Sequence, residues 1–388
     1  MSPTPSPVIV VAPDSFKGSA SAAQAAAALA RGARAVAGPA ATIIELPMAD
    51  GGEGTLDALL ATWGTEPLTA ETTDALRRPC TARYGLSADG STGIIEAAEA
   101  NGLPQVADLD LRPLDADTYG VGLIAARLLD AGVSEILLCI GGSATTDGGT
   151  GMLTALGARF LDAQGSPVGP GGGALSSIAR VDVKTLHPRA ATISWRIAVD
   201  VDNPLCGPRG AAAVFGPQKG ATDSDVATLD AGLAHLATVL DAEAAAKQPG
   251  FGAAGGLPLA LVSLVGAETV PGAELVSTAV GLRNALAGAD VVLTGEGRLD
   301  TQSLGGKVVD AVRRTANPDT RVVVIAGAVQ LDAATCREAG LTAAFSIASG
   351  PAALPELQAD AERLIEDTAA QACAALGLGS GTARTVGP

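Results

Sequence analysis

Apolar runs of a few residues, each stopping in a turn of glycines and acids and then giving way to a helix-like stretch, constrain this chain more than any other feature. Residues 8–12 run into Asp14-Ser15-Phe16-Lys17-Gly18, and residues 42–46 lead to Asp50-Gly51-Gly52-Glu53-Gly54-Thr55. The same rhythm recurs at 135–140 before Gly141-Gly142-Ser143-Ala144-Thr145-Thr146-Asp147, at 194–199 before Asp200-Val201-Asp202-Asn203, and at 291–294 before Gly295-Glu296-Gly297-Arg298. Short, continuously apolar, β-branched runs bounded by turn residues read as strands buried on both faces. Such strands need helices over each face, which is the α/β pattern.

The helical stretches fall where that pattern requires them: 20–36, with Ser19 or Ser21 as N-cap, then 55–62, 120–129, 148–156, 223–240, 308–315, 333–339 and a closing helix over 356–376. Between 67 and 90 the rhythm gives way to Thr-rich, hairpin-like segments at 68–73 and 80–84, followed by a strand at 93–97. After Gly288 short buried strands return at 291–294, 322–326 and 343–347. The expectation is therefore two α/β domains. Residues 1–66 and 286–388 would form a discontinuous, doubly wound, flavodoxin-like domain, with residues 67–285 inserted as a second α/β domain. Residues 1–7 and 377–388 read as a Pro/Ser extension and a loose tail.

Composition narrows the partners. Hydrophobic residues make up 47% of the chain and aromatics only 2%, so the cores are built from Ala, Val, Leu and Ile. A formal net charge of −16 excludes a nucleic-acid surface, which needs clustered cations to displace counterions. Five cysteines without a CxxC pair, and no signal segment, point to reduced thiols in the cytoplasm. No stretch reaches the roughly 20 apolar residues of a membrane span. Residues 253–267 come nearest, but glycines and Pro258 interrupt them.

An anionic ligand must then be held by a few placed cations, and there are only five lysines. Lys17, Lys219 and Lys307 lie in or beside the glycine-rich turns. Carboxylates, hydroxyls and lysine among small residues suit Mg²⁺ and phosphate, and suit His- or Cys-bound metals poorly. His187 and His235 lack a matching partner, which argues against a Ser-His-Asp hydrolase. Gly141-Gly142-Ser143 is a phosphate cradle or simply a turn, and Asp200-x-Asp202 is a Mg²⁺ pair or a capped strand end. Neither a GxxxxGK[ST] loop nor a GxGxxG fingerprint follows the first strand.

Taken together the motifs resemble the glycerate kinase family of the bacterial two-domain type. The resemblance runs from Ala12-Pro13-Asp14-Ser15-Phe16-Lys17 through Ala49 to Thr55, Ile140 to Thr145, Asp200 to Leu205 and Phe215-Gly216-Pro217-Gln218-Lys219-Gly220 to Thr294-Gly295-Glu296-Gly297-Arg298-Leu299-Asp300. Thr146 and Gly18 depart from the pattern, which has Asn and Glu there, so no amide role is carried over to 146. The resemblance implies phosphoryl transfer from ATP, with Mg²⁺, to the 2-hydroxyl of D-glycerate. Phosphorylation of the 3-hydroxyl or of another sugar acid, a phosphatase, and a non-catalytic two-lobed binding protein stand as alternatives.

Under that reading a carboxylate among Asp14, Asp50 and Asp200 orients or deprotonates the hydroxyl, with Lys17 beside it. Asp14 comes first, because it shares a turn with Lys17. Ser15, Glu53, Asn203, Lys219 and Arg298 would bind the substrate. Gly141, Gly142, Ser143, Thr145, Gly295 and Lys307 would serve the nucleotide, and Asp202 or Glu296 the metal. The partners are then small molecules, with no nucleic acid and no membrane, and a homo-oligomer is left open.

Overall fold

The computed structural model describes residues 6–379; most of the expected N-terminal extension and C-terminal tail lies outside them. In chain order the strands are β1 (Val8–Val11), β2 (Thr42–Glu45), β3 (Leu68–Thr73), β4 (Pro79–Leu86), β5 (Thr92–Glu96), β6 (Glu135–Cys139) and β7 (Arg159–Leu161). They continue as β8 (Arg180–Asp182), β9 (Ser194–Ala198), β10 (Glu268–Val270), β11 (Val291–Leu299), β12 (Arg321–Val329) and β13 (Ala343–Ser346).

The chain divides into two compact units. One comprises the described parts of Met1–Asp50 and Val276–Pro388 together with Asp57–Trp63, and the other Gly51–Leu56 and Gly64–Leu275. These limits differ from those the sequence rhythm suggested. Residues 51–56 belong with the second unit because Gly51 lies against Ala198 and Gly272, and the Leu56 N–H donates to the Glu96 carboxylate. Residues 276–285 belong with the first, where the Ala279 carbonyl accepts from the Trp63 indole.

The first unit holds a five-stranded sheet in the order β13-β12-β11-β1-β2, parallel throughout. Numbered within the unit this is 2-1-3-4-5, the flavodoxin-like order. Ile9, Val10, Val11, Val291, Val292 and Leu293 are all without exposed surface, as strands covered on both faces must be. Helix Ala22–Ala37 starts at Ser21, whose hydroxyl and Gln24 form a reciprocal cap. It packs against helix Ala361–Ala375 so closely that a Cβ on Gly32 would stand 2.2 Å from the Glu366 carbonyl oxygen. The closing helix is broken at Asp360, giving Leu354–Ala359 and Ala361–Ala375.

The second unit holds a six-stranded sheet, β10-β9-β6-β5-β4-β3. Its β5, β6, β9 and β10 run parallel, while β3 and β4 add an antiparallel edge. The three-residue strands β7 and β8 form a separate antiparallel ribbon. Trp195, Ile95, Leu138 and Ile124 are among the core of this unit. The parallel strands of this sheet follow one another without reversal, so among the described residues the reversal of winding lies in the first unit, between β1 and β11.

Candidate active site

In the first unit the chain winds outward from β1 to β2 on one side and from β11 to β13 on the other. Loops leaving the carboxyl ends of such strands part at the reversal and open a crevice there. Asp14 and Glu296 stand on its two sides. The Asp14 N–H donates to the Gly295 carbonyl at 2.8 Å, and the Thr294 hydroxyl to the Ala12 carbonyl at 2.8 Å, which stitches the two strand ends together. The Met48 N–H donates to the Pro13 carbonyl at 2.8 Å and brings the approach to Asp50 alongside.

Glycines set how closely these parts meet. A Cβ on Gly295 would lie 2.0 Å from the Ile325 carbonyl oxygen and 3.3 Å from the Phe16 ring. One on Gly327 would lie 2.4 Å from the Gly297 carbonyl oxygen. With no side chains there, β11 and β12 continue past the rest of the sheet as a ribbon that carries Glu296 and Arg298.

Three carboxylates share this end of the unit, and their charges oppose one another. Asp14 is half-buried, and its pKa is pushed up to about 7, first by loss of water and then by the charge of Asp50, with Glu296 adding to it. A hydrogen bond from the Ser15 N–H to Oδ1 at 2.6 Å works the other way. Burial raises the Glu296 carboxyl as well, against the pull of the Ser303 hydroxyl and the Lys307 ammonium. Glu296 Oε1 is buried without a hydrogen-bond partner. Lys17 and Arg298 are exposed, and Lys307 is half-buried at the start of helix Val308–Thr315.

An unpaired carboxylate oxygen next to mutually repelling acids is a setting that a cation relieves. Among the described residues no three His, Cys, Asp or Glu side chains are grouped as metal ligands. Mg²⁺ does not require that, since in phosphoryl-transfer sites it takes one or two carboxylates and completes its shell with phosphate and water. The Glu296 setting fits such an ion. Asp202 does not, because it is exposed and ion-paired with Arg209 at 2.8 Å.

In the second unit the carboxyl end of β6 leads into the turn at 141–146. Gly141 and Gly142 are exposed, Gly142 with φ of 74°, and residues 143–150 are buried. Asn101 braces the turn: its carbonyl accepts from the Ala144 N–H at 2.8 Å, and its amide donates to the Thr145 hydroxyl at 3.2 Å. Lys219 is buried, with Nζ donating to the Thr145 carbonyl at 2.6 Å and the Ser143 hydroxyl at 3.2 Å. Burial lowers its pKa to about 8, while the charge of Asp147 acts to raise it. Thr146 is buried with its hydroxyl unpartnered.

Asp147 is itself fully buried, and its carboxylate accepts from the Thr118 N–H and hydroxyl and from the N–H groups of Gly149 and Gly151. Asp117, next in chain to Thr118, is raised to about 6 by burial and then by Asp147, against an ion pair with Arg77. At the neighbouring strand ends, Asp200 accepts from the Gly272 N–H at 2.8 Å. Gly51 lies there too, with φ of 89° and a Cβ position 2.7 Å from both Ala198 Cβ and Gly272 Cα. Asn203 donates to the Arg209 carbonyl, and Glu53 is exposed.

The sequence-derived residues thus gather in two sets. Asp14, Lys17, Asp50, Glu296, Arg298 and Lys307 belong to the first unit, and Gly141, Gly142, Ser143, Thr145 and Lys219 to the second. Glu96, Asn101, Asp117 and Thr118 were missed. Only Glu96, the single acid of a buried strand, carried a signal that could have marked it.

The chain matches the model of the glycerate kinase family over residues 9–377. It belongs to that family. A glycerate kinase of Bacillus subtilis (strain 168) is 41% identical over 374 residues, covering 95% of this chain and 98% of the relative. The glycerate 2-kinase of Escherichia coli (strain K12) is 40% identical over 352 residues, or 90% and 92% of the two chains. A crystal structure of a glycerate kinase 2 from Salmonella typhimurium LT2 superposes with a TM-score of 0.87 at 40% identity, covering 96% of this chain and 98% of the other. The α/β architecture and the kinase class are those of the family. Among the described residues no helix is long and apolar enough to cross a membrane.

Proposed function

We infer that this glycerate kinase family member transfers the γ-phosphoryl group of ATP to the 2-hydroxyl of D-glycerate, giving 2-phosphoglycerate. The observation that carries the reading is the meeting, at the winding reversal, of Asp14 with Asp50 and with the buried, unpaired oxygen of Glu296. Asp14 accepts the hydroxyl proton as the oxygen bonds to phosphorus and the bond to the departing ADP oxygen breaks. Glu296, with Asp50 nearby, would hold Mg²⁺, which when bound would neutralise charge on the phosphate oxygens. Lys17, Arg298 and Lys307 offset the chain's negative field for two anionic reactants. The turn at 141–146 of the second unit is, taken by itself, a phosphate cradle of exposed glycines, and the cytoplasm supplies nucleotide and keeps the thiols reduced. Relatives that are glycerate kinases, one of them a glycerate 2-kinase, support the choice of substrate.

The test is ³¹P NMR of the product formed from ATP, Mg²⁺ and D-glycerate by the purified protein. The 2-phosphate ester should appear, and EDTA should abolish it. A 3-phosphate ester, or ATP hydrolysis without an ester, would overturn the reading.

A further inference from the structure

Lys219, read from the sequence as a substrate-binding residue, is buried and hydrogen-bonded to the 141–146 turn. Its ammonium is inside the second unit, on the buried side of the turn whose exposed side is Gly141 and Gly142. It reaches Thr145 through a backbone carbonyl and Ser143 through a hydroxyl. A lysine enclosed this way is costly unless charge and hydrogen bonds compensate it, and here Asp147 supplies the opposite charge. Asp147 is in turn fixed by four donors from Thr118, Gly149 and Gly151. The other charges recorded around this interior are Asp117, which feels Asp147, and Arg77, which pairs with Asp117.

We propose that Lys219 is a positioning residue that acts on the phosphate through the turn, bracing residues 143–145 and projecting its positive charge from behind, with Asp147 as its fixed counter-ion. This rests on the reading of the 141–146 turn as a phosphate cradle. Two consequences separate it from a merely structural lysine. An anion arriving at the turn favours the charged amine, so binding draws a proton onto Lys219 wherever the free protein holds it partly neutral. Burial has moved that range to about pH 8. Affinity for the anion falls as the pH rises through the same range.

The experiment is calorimetric titration of the full chain with Mg-ADP between about pH 7 and pH 9, where nucleotide phosphates are already fully ionised. Repeating it near pH 8 in buffers of different ionisation enthalpy measures proton uptake. Wild type should lose on the order of tenfold in affinity across the range, the tenfold expected when one charge is lost over one pH unit above its pKa, and should take up a fraction of a proton. Lys219→Arg, which keeps its charge, should bind with no fall and no uptake. Lys219→Met should bind more weakly at pH 7 and show no pH dependence. A flat wild-type profile, or a Lys219→Arg variant that falls as wild type does, overturns the proposal. Gly142→Val, on the exposed side of the turn, tells which step failed. If it weakens Mg-ADP binding while the Lys219 variants behave as wild type, only the lysine's role is refuted. If it leaves binding unchanged, the phosphate-cradle reading is refuted and the proposal with it.

Discussion

At the scale of single residues, the role proposed for Asp14 and its contribution to stability oppose each other. A carboxyl raised from 3.8 to about 7 holds its proton more tightly folded than unfolded. Its contribution to stability is therefore fully present below the unfolded value and is lost as pH rises through about 7. At pH 8 without Mg²⁺, Asp14→Asn should be the more stable protein by on the order of 1 kcal/mol, after discounting for water around a half-buried group. The same variant should lose on the order of 10²-fold or more in kcat/KM. The acid limb of the wild-type profile should vanish with it. Denaturant titration and a pH–rate series check both halves, and an unchanged limb in the variant would remove Asp14 from the role of base. Asp14 was legible in the sequence because it shares its turn with Lys17. The enclosure of Lys219 was not, because a Gly-Pro-Gln-Lys-Gly turn looks solvated until residues more than 70 positions away fold against it. Asp200 was read as a candidate base and Asp202 as a candidate metal ligand; folding sets the first against the Gly272 N–H and pairs the second with Arg209.

At the scale of elements, the long buried strands and capped helices were readable because hydrophobic period and cap chemistry are local. The β7–β8 ribbon and β10 were not, since three residues carry too little pattern to mark a strand. The helix at Gly148 was placed two residues early because Gly148 and Gly149 are left-handed, and helix Thr150–Ala155 begins only after them. The β11–β12 ribbon depends on glycine in a way sequence suggests but cannot measure. Gly295→Ala would drive a methyl to 2.0 Å from the Ile325 carbonyl oxygen, so it should cost about 2 kcal/mol or more and disturb Glu296 next to it. Gly288→Ala, with open space around it, should stay within about 0.5 kcal/mol. Thermal denaturation of the pair distinguishes close packing from a general aversion to side chains in this region, and equal costs would contradict the packing argument.

At the scale of the whole molecule, a net charge of −16 surrounds a reaction between two anions. Long-range repulsion should slow their arrival at low salt, with the placed cations acting only within a short range. Raising the ionic strength from about 10 to about 100 mM at fixed free Mg²⁺ should therefore increase kcat/KM for ATP by roughly twofold. Stopped-flow or steady-state kinetics can measure this, and a fall with salt would mean that local positive charge governs the approach.

The pairing of β1 with β11 has a consequence in time as well as in space. Ala12 and Thr294, hydrogen-bonded at the sheet's centre, lie 282 positions apart in sequence. At a synthesis rate of about 5–20 residues per second, the first strand leaves the ribosome roughly 15–60 seconds before its partner exists. The second unit has all its strands in hand before β11 is made. The first unit can therefore be completed only after the second has been made, and until then β1, β2 and helix Ala22–Ala37 have only one another to pack against on that side of the sheet.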